Sequence, residues 1–178
     1  VGGIDKILEN CNWDIKYGYQ QLKIKIGRSG KWYSHADGMK MDIEVIKQIN
    51  NAFPNITLLV DSNDKYTLQD TINFLKGIGD IPLLWVEEPF RENYEAGKKL
   101  RKWMDENGFK NTLYADGEAN RDHQLCLKMG KEDIMNVYLA DIRSFGFTRW
   151  RQLMSELKSY GMLASPHAFG SMLKTHYI

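Results

Sequence analysis

Cysteine is nearly missing from this 178-residue chain: Cys11 and Cys126 lie far apart and form no CxxC pair. That excludes a small disulfide-framed fold and sets a reducing, cytoplasmic location as the expectation. Proline is scarce as well, 4 residues against 15 glycines, so no proline-rich linker divides the chain. Long apolar runs are lacking; the stretches 56–60 and 81–86 are far too short to cross a bilayer. The opening Val1-Gly2-Gly3-Ile4-Asp5 has neither the basic nor the apolar segment of a secretion signal. Nor is there an excess of either charge. With 24 Lys and Arg against 23 Asp and Glu, the formal net charge is +1, which removes the electrostatic ground for a nucleic-acid or anionic-membrane partner. What remains is a chain that is 43% hydrophobic, enough to bury one globular core.

The residues present recur with a structural period. Short β-favourable runs end in a polar group, and each is followed by a helical stripe. Alternation over 21–26 stops at Gly27; the run 56–60 enters Asp61-Ser62-Asn63-Asp64; 82–86 enters Glu87-Glu88-Pro89; 112–115 enters Asp116-Gly117-Glu118; 135–139 precedes Asp141; and 162–164 precedes Ser165-Pro166-His167. Between them, apolar residues at helical spacing run through Ile43–Ile49, Leu68–Leu75, Leu100–Met104, Leu125–Met129 and Leu153–Tyr160. A glycine just past most of these stripes, Gly130 among them, reads as a helix stop. The basic run Lys98-Lys99 and Arg101-Lys102 reads as a solvated face, and most tryptophans read as core, with Trp32 as a candidate pocket wall.

Repeated βα units imply a parallel sheet, either open and doubly wound or closed as a barrel. Both put chemistry at the carboxyl ends of the strands. Here six consecutive strand ends each carry a carboxylate, lysine or imidazole, and such groups converge only if the strands surround one centre. The expected fold is therefore α/β, a parallel (β/α) TIM-type barrel. It is expected to be incomplete in this chain, since a full barrel needs roughly 250 residues and the chain opens on Val1.

Three acids, Asp61, Glu87 and Glu118, come from successive strand ends. Any one of them could simply cap a turn, but three brought together repel unless a cation neutralises them, and an all-oxygen set suits Mg²⁺. Asp116 competes with Glu118 as the third. Lys23 and Lys25 sit at i and i+2 and so share a strand face; two adjacent ammonium groups are expected to depress each other's pKa, which is how a lysine becomes a usable base. Asp141 precedes His167 by one strand and could orient its imidazole. His35, His123 and His176 receive no role.

Taken together, Lys23-Ile24-Lys25-Ile26-Gly27, Val60-Asp61-Ser62-Asn63, Trp85-Val86-Glu87-Glu88-Pro89, Asp116-Gly117-Glu118, Asp141 and Ser165-Pro166-His167 resemble the enolase superfamily in its mandelate racemase-like branch. The likeness runs from about Gly18 to Gly170. It departs at Asp141-Ile142-Arg143-Ser144-Phe145-Gly146-Phe147, where relatives carry two consecutive glycines. The resemblance implies a modified (β/α)₇β barrel, with an N-terminal capping domain and a last barrel strand that this chain does not include. It implies Mg²⁺ on Asp61, Glu87 and Glu118, Lys25 as one base, His167 with Asp141 as another, and Lys23 and Asn63 on the substrate carboxylate. The implied reaction removes a proton alpha to a carboxylate through an enediolate. Dehydration of an acid sugar is the favoured outcome, racemisation or epimerisation the alternative, and a chain inactive by itself a further one. A small carboxylate substrate and a homo-oligomeric parent are the implied partners.

Overall fold

A computed structural model describes residues 3–119 and 122–168. The elements run α1 (Gly3–Lys16), β1 (Gln21–Lys25), α2 (His35–Ala52), β2 (Thr57–Asp61), α3 (Leu68–Ile78), β3 (Leu83–Glu87), α4 (Tyr94–Glu106), β4 (Leu113–Asp116), α5 (His123–Lys131), β5 (Val137–Tyr138), α6 (Ile142–Phe145), α7 (Phe147–Ser159) and β6 (Leu163–Ala164). All six strands are parallel and pair in sequence order, β1 to β6. A doubly wound sheet reverses its order at a switch point; this one never does, so it is the wall of a barrel, and among the described residues it stays open between β1 and β6. No helix among them is long and apolar enough to cross a membrane.

Strand alternation sorts the side chains. Lys25 pairs with Asp61, Asp61 with Glu87, and Glu87 with Ala115, so these four share one level and one face. Ala115 packs in turn with Val137, Leu139, Trp85 and Leu113 as an inner apolar layer. The opposite face carries the larger core, where Leu22, Ile24, Val60 and Val86 meet Ile46, Ile49, Phe74, Leu75 and Leu100 of the helices. Strand-to-helix loops close on capping side chains: Ser34, Thr67 (in a capping box with Asp70), Asn93 and Asp122 each accept a first-turn N–H, an arrangement worth about 1 kcal/mol per helix.

Two sequence expectations need correcting. Gly130 does not stop α5, which runs on to Lys131. A Cβ at Gly130 would stand 1.9 Å from the Met162 sulfur, so glycine is there to admit β6's approach rather than to end a helix. Arg101 is not solvated: only 9% exposed, its guanidinium donates to the carbonyls of Thr112, Phe109 and Lys110 and to Asp105. It fastens the loop that enters β4 to the helix before it. Trp32 is 75% exposed, with Lys31 over its ring.

Candidate active site

The inner face at the carboxyl ends of β1–β3 holds a compact set of opposite charges. Asp61 and Glu87 are 0% and 2% exposed. Lys23 Nζ donates to Glu87 Oε1 at 2.5 Å and lies 3.2 Å from Asp61 Oδ2, and Lys25 Nζ donates to the same Asp61 oxygen at 2.5 Å. Trp85 Nε1 donates to the other Glu87 oxygen at 2.9 Å. Burial, reinforced by the charge on Asp61, pushes the Glu87 carboxyl up to about 6 despite Lys23. At Asp61 burial works the same way, but the hydrogen bond from Lys25 and the remaining neighbours outweigh it and hold the carboxyl below its ordinary value. For Lys23 the sequence expectation is reversed. Burial alone would lower its pKa, yet the hydrogen bond to Glu87 and the two carboxylate charges raise it.

The opposite end of the sheet supplies the imidazole. His167 Nδ1 stands 3.0 Å from Asp141 Oδ2, and Nε2 stands 3.2 Å from Glu118 Oε1. The His167 N–H also donates to Leu139 O and its carbonyl accepts from Ile142 N, so the loop after β6 is laid along the end of β5. Asp141 caps α6 through the N–H groups of Arg143 and Ser144. Burial raises its carboxyl, but the Ser144 N–H, His167 and the Arg143 N–H together hold it below the usual range. Next to this pair opens a cleft of about 590 Å³ lined by Glu118, His123, Tyr138, Asp141, Phe145 and Arg149. His123, given no role from the sequence, is bonded to Tyr138 Oη at 3.1 Å; His176 lies outside the described residues.

Asp116 faces away. It is fully buried beneath the strand ends, bonded to Tyr114 Oη at 2.7 Å and to the Gly117 N–H. Among the described residues, the three acids whose carboxylate oxygens come within 4.8 Å of one another are Asp64, Glu88 and Asp116. Asp61, Glu87 and Glu118 are not drawn that close: the lysines hold the first two and His167 faces the third. Asn63 joins the two sets, accepting from Lys25 Nζ at 2.8 Å and donating to Glu88 Oε2 at 3.1 Å. The sequence reading missed Glu88 and Asp64. The available signal was alternation: if Glu87 faces inward, Glu88 must face the other way. The backbone adds another, since Asn63, Asp64 and Glu88 all have positive φ, 46°, 58° and 41°, and sparsely populated conformations gather at functional sites.

Hard oxygen donors suited to a divalent cation are present on both faces: Asp61 and Glu87 lie buried on adjacent strands of the inner face, and Asp64, Glu88 and Asp116 form the group whose oxygens are close enough to share one ion.

A parallel barrel wall whose carboxyl ends carry lysines, carboxylates and an imidazole defines a barrel domain of the enolase type. The chain belongs to that family: the model for enolase C-terminal domain-like proteins matches residues 6–178. Galacturonate dehydratase from Geobacillus sp., solved with Mg in one structure and with D-galacturonate and 5-keto-4-deoxy-D-galacturonate in another, superposes on 98% of the chain with a TM-score of 0.91 and 28% identity. An o-succinylbenzoate synthase of Geobacillus stearothermophilus is 33% identical over 143 residues, 65% of this chain. A hydrophobic dipeptide epimerase of Enterococcus faecalis is 29% identical over 130 residues, 70% of this chain. The chain spans 45% and 47% of the two dehydratase structures and 35% and 32% of the two curated relatives.

Proposed function

We propose that this chain carries the catalytic face of a Mg²⁺-dependent enzyme that removes the proton alpha to a carboxylate, and that its reaction is the dehydration of an acid sugar. The observation that supports the reading is the division of the inner face: lysines at the β1 end, an Asp141–His167 pair at the β6 end, and buried Asp61 and Glu87 between them. Asp61, Glu87 and Glu118 would hold the ion. When bound, Mg²⁺ supplies positive charge where the substrate carboxylate gains electron density.

The chain's own residues do the rest. Lys23 and Asn63 bind and orient the carboxylate. Lys25 takes the alpha proton onto Nζ as the Cα–H bond breaks. Asp141 fixes the His167 ring through Nδ1, which leaves Nε2 to deliver a proton to the departing β-hydroxyl; the Cβ–O bond breaks, water leaves, and the resulting enol becomes a 2-keto-3-deoxy acid. A second reading, epimerisation, is favoured by the same two-ended arrangement, because a base on each side can remove the proton from one face and return it to the other. The epimerase among the relatives supports it.

The test is to assay the whole protein against a library of acid sugars with Mg²⁺, following both keto-acid formation and loss of configuration. EDTA should abolish turnover and added Mg²⁺ restore it. Undiminished turnover in metal-free buffer would overturn the reading.

A further inference from the structure

Against the turn that follows β1 lies a buried carboxylate that the chemistry above does not use. Asp42, on the second turn of α2, is 0% exposed. Its Oδ2 accepts from the Gly27 N–H at 2.8 Å, from the Arg28 N–H at 3.1 Å and from Tyr66 Oη at 2.7 Å, while Oδ1 accepts from the Arg28 guanidinium. One side chain thus gathers donors from the two loops that follow β1 and β2. Through Tyr66 it reaches the loop that follows β3 as well, because the Tyr66 N–H donates to Pro89 O.

These loops leave little room for adjustment. Gly27 has φ +81°, and a Cβ there would stand 2.7 Å from Lys65 Cβ and 2.9 Å from Ser62 O. At Gly38, one turn before Asp42, a Cβ would fall 1.4 Å from the Arg28 carbonyl oxygen, so α2 is seated directly on the turn that ends β1. Lys25 is two residues before Gly27, and the Ile26 N–H donates to Asp61 O at 2.8 Å. The turn held by Asp42 is therefore continuous with the segment that sets Lys25 Nζ against Asp61 and Asn63.

We propose that Asp42 is a positioning residue: through the Gly27–Arg28 turn and Tyr66 it holds the carboxyl ends of β1, β2 and β3 in register and so fixes where the Lys25 ammonium stands. The catalytic part of this inference rests on the proposed role of Lys25 as base; the placement of its side chain does not. Asp42→Asn is informative because no orientation of the amide suits the pocket: its NH₂ meets either the Arg28 guanidinium or the cluster of Gly27, Arg28 and Tyr66 donors. Tyr66→Phe removes one donor and keeps the ring.

Two measurements on the whole protein test it. The first is competitive acetylation with trace acetic anhydride, reading Lys25 against the exposed Lys47 of α2. Asp42→Asn should raise relative labelling of Lys25 about fivefold, the equivalent of one lost hydrogen bond, and Tyr66→Phe should raise it less. The second is exchange of the alpha proton in D₂O on both configurations of a carboxylate substrate with Mg²⁺. Asp42→Asn should slow exchange on the Lys25 face by about 10- to 100-fold, since small displacements of a reacting group cost that much, and leave unchanged any exchange the wild-type protein shows on the His167 face. If Asp42→Asn does not fold, Tyr66→Phe reads both quantities. Unchanged Lys25 labelling in the folded variants would overturn the inference, as would equal slowing of both faces, which would mark a general loss of structure. If labelling changes while the wild-type protein exchanges no alpha proton on any carboxylate, the positioning stands and the proposed function falls.

Discussion

Glu87 is held on both carboxylate oxygens, bonded to Lys23 on one and to Trp85 of its own strand on the other. Replacing it with Gln keeps the shape and removes a charge from the proposed ligand set. Glu87→Gln should weaken Mg²⁺ binding by about 10- to 100-fold in isothermal titration, a loss of one to two factors of ten in affinity. Glu118→Gln should weaken it more than Asp116→Asn, because Asp116 is turned beneath the strand ends onto Tyr114; the opposite order would transfer the third position to Asp116. Glu88 gives a pH prediction. Burial, then the charge of Glu118, lifts its carboxyl to about 7 from an ordinary 4.5. The folded form thus binds a proton that the unfolded form has already lost, so this stabilisation is complete below about pH 4.5 and disappears as the pH rises through 7. In metal-free buffer the unfolding free energy from urea denaturation should fall between those values by an amount on the order of 3 kcal/mol, and Glu88→Gln should flatten the fall.

Arg101 shows what a single element contributes. Its guanidinium donates to three backbone carbonyls of the segment leading into β4, Thr112, Phe109 and Lys110, of which Phe109 O also accepts from the Thr112 N–H. Arg101→Met keeps the apolar stem and should cost about 1.5–3 kcal/mol by urea denaturation, the worth of a hydrogen bond from a charged donor. A change within 0.5 kcal/mol, the range of ordinary surface substitutions, would show that water replaces it. The same scale shows what was legible in advance. Each strand was readable because β-favourable residues end in a polar group, and α2, α3, α4, α5 and α7 because their apolar spacing is helical; their observed positions match those runs. Helix α1 was not singled out, and α6 is a four-residue turn made by the Asp141 cap, too short to carry a period. Arg101 and Gly130 were misread because a charged side chain on a helix and a glycine near its end have ordinary local meanings. Their actual partners, three carbonyls and the Met162 sulfur, lie in other segments.

For the whole molecule the decisive relation is between β1 and β6, the two ends of the sheet. Lys25 and His167 project from these ends, so each should reach one face of a substrate's alpha carbon. In D₂O with Mg²⁺, Lys25→Ala should abolish exchange of one configuration and spare the other, and His167→Asn should do the converse, each by a factor of about 10² to 10⁴, the usual worth of a general base. In a dehydratase only the Lys25 half of this pattern needs to appear, because His167 then serves the β-hydroxyl. Exchange that survives both substitutions would leave the proposed chemistry without a proton acceptor. The sequence by itself determined the α/β order, the parallel sheet and the six strand ends that carry chemical groups, because periodicity and strand-end chemistry are written along the chain. It also determined, through alternation, that Lys23 and Lys25 share a face. Only the tertiary structure decided which acids meet: Asp116 with Glu88 and Asp64, Glu118 with His167, and Asp42 with donors from two loops. Those choices depend on register between strands and on how each loop turns after its strand, and both are set by packing between distant segments rather than by the residues next in line.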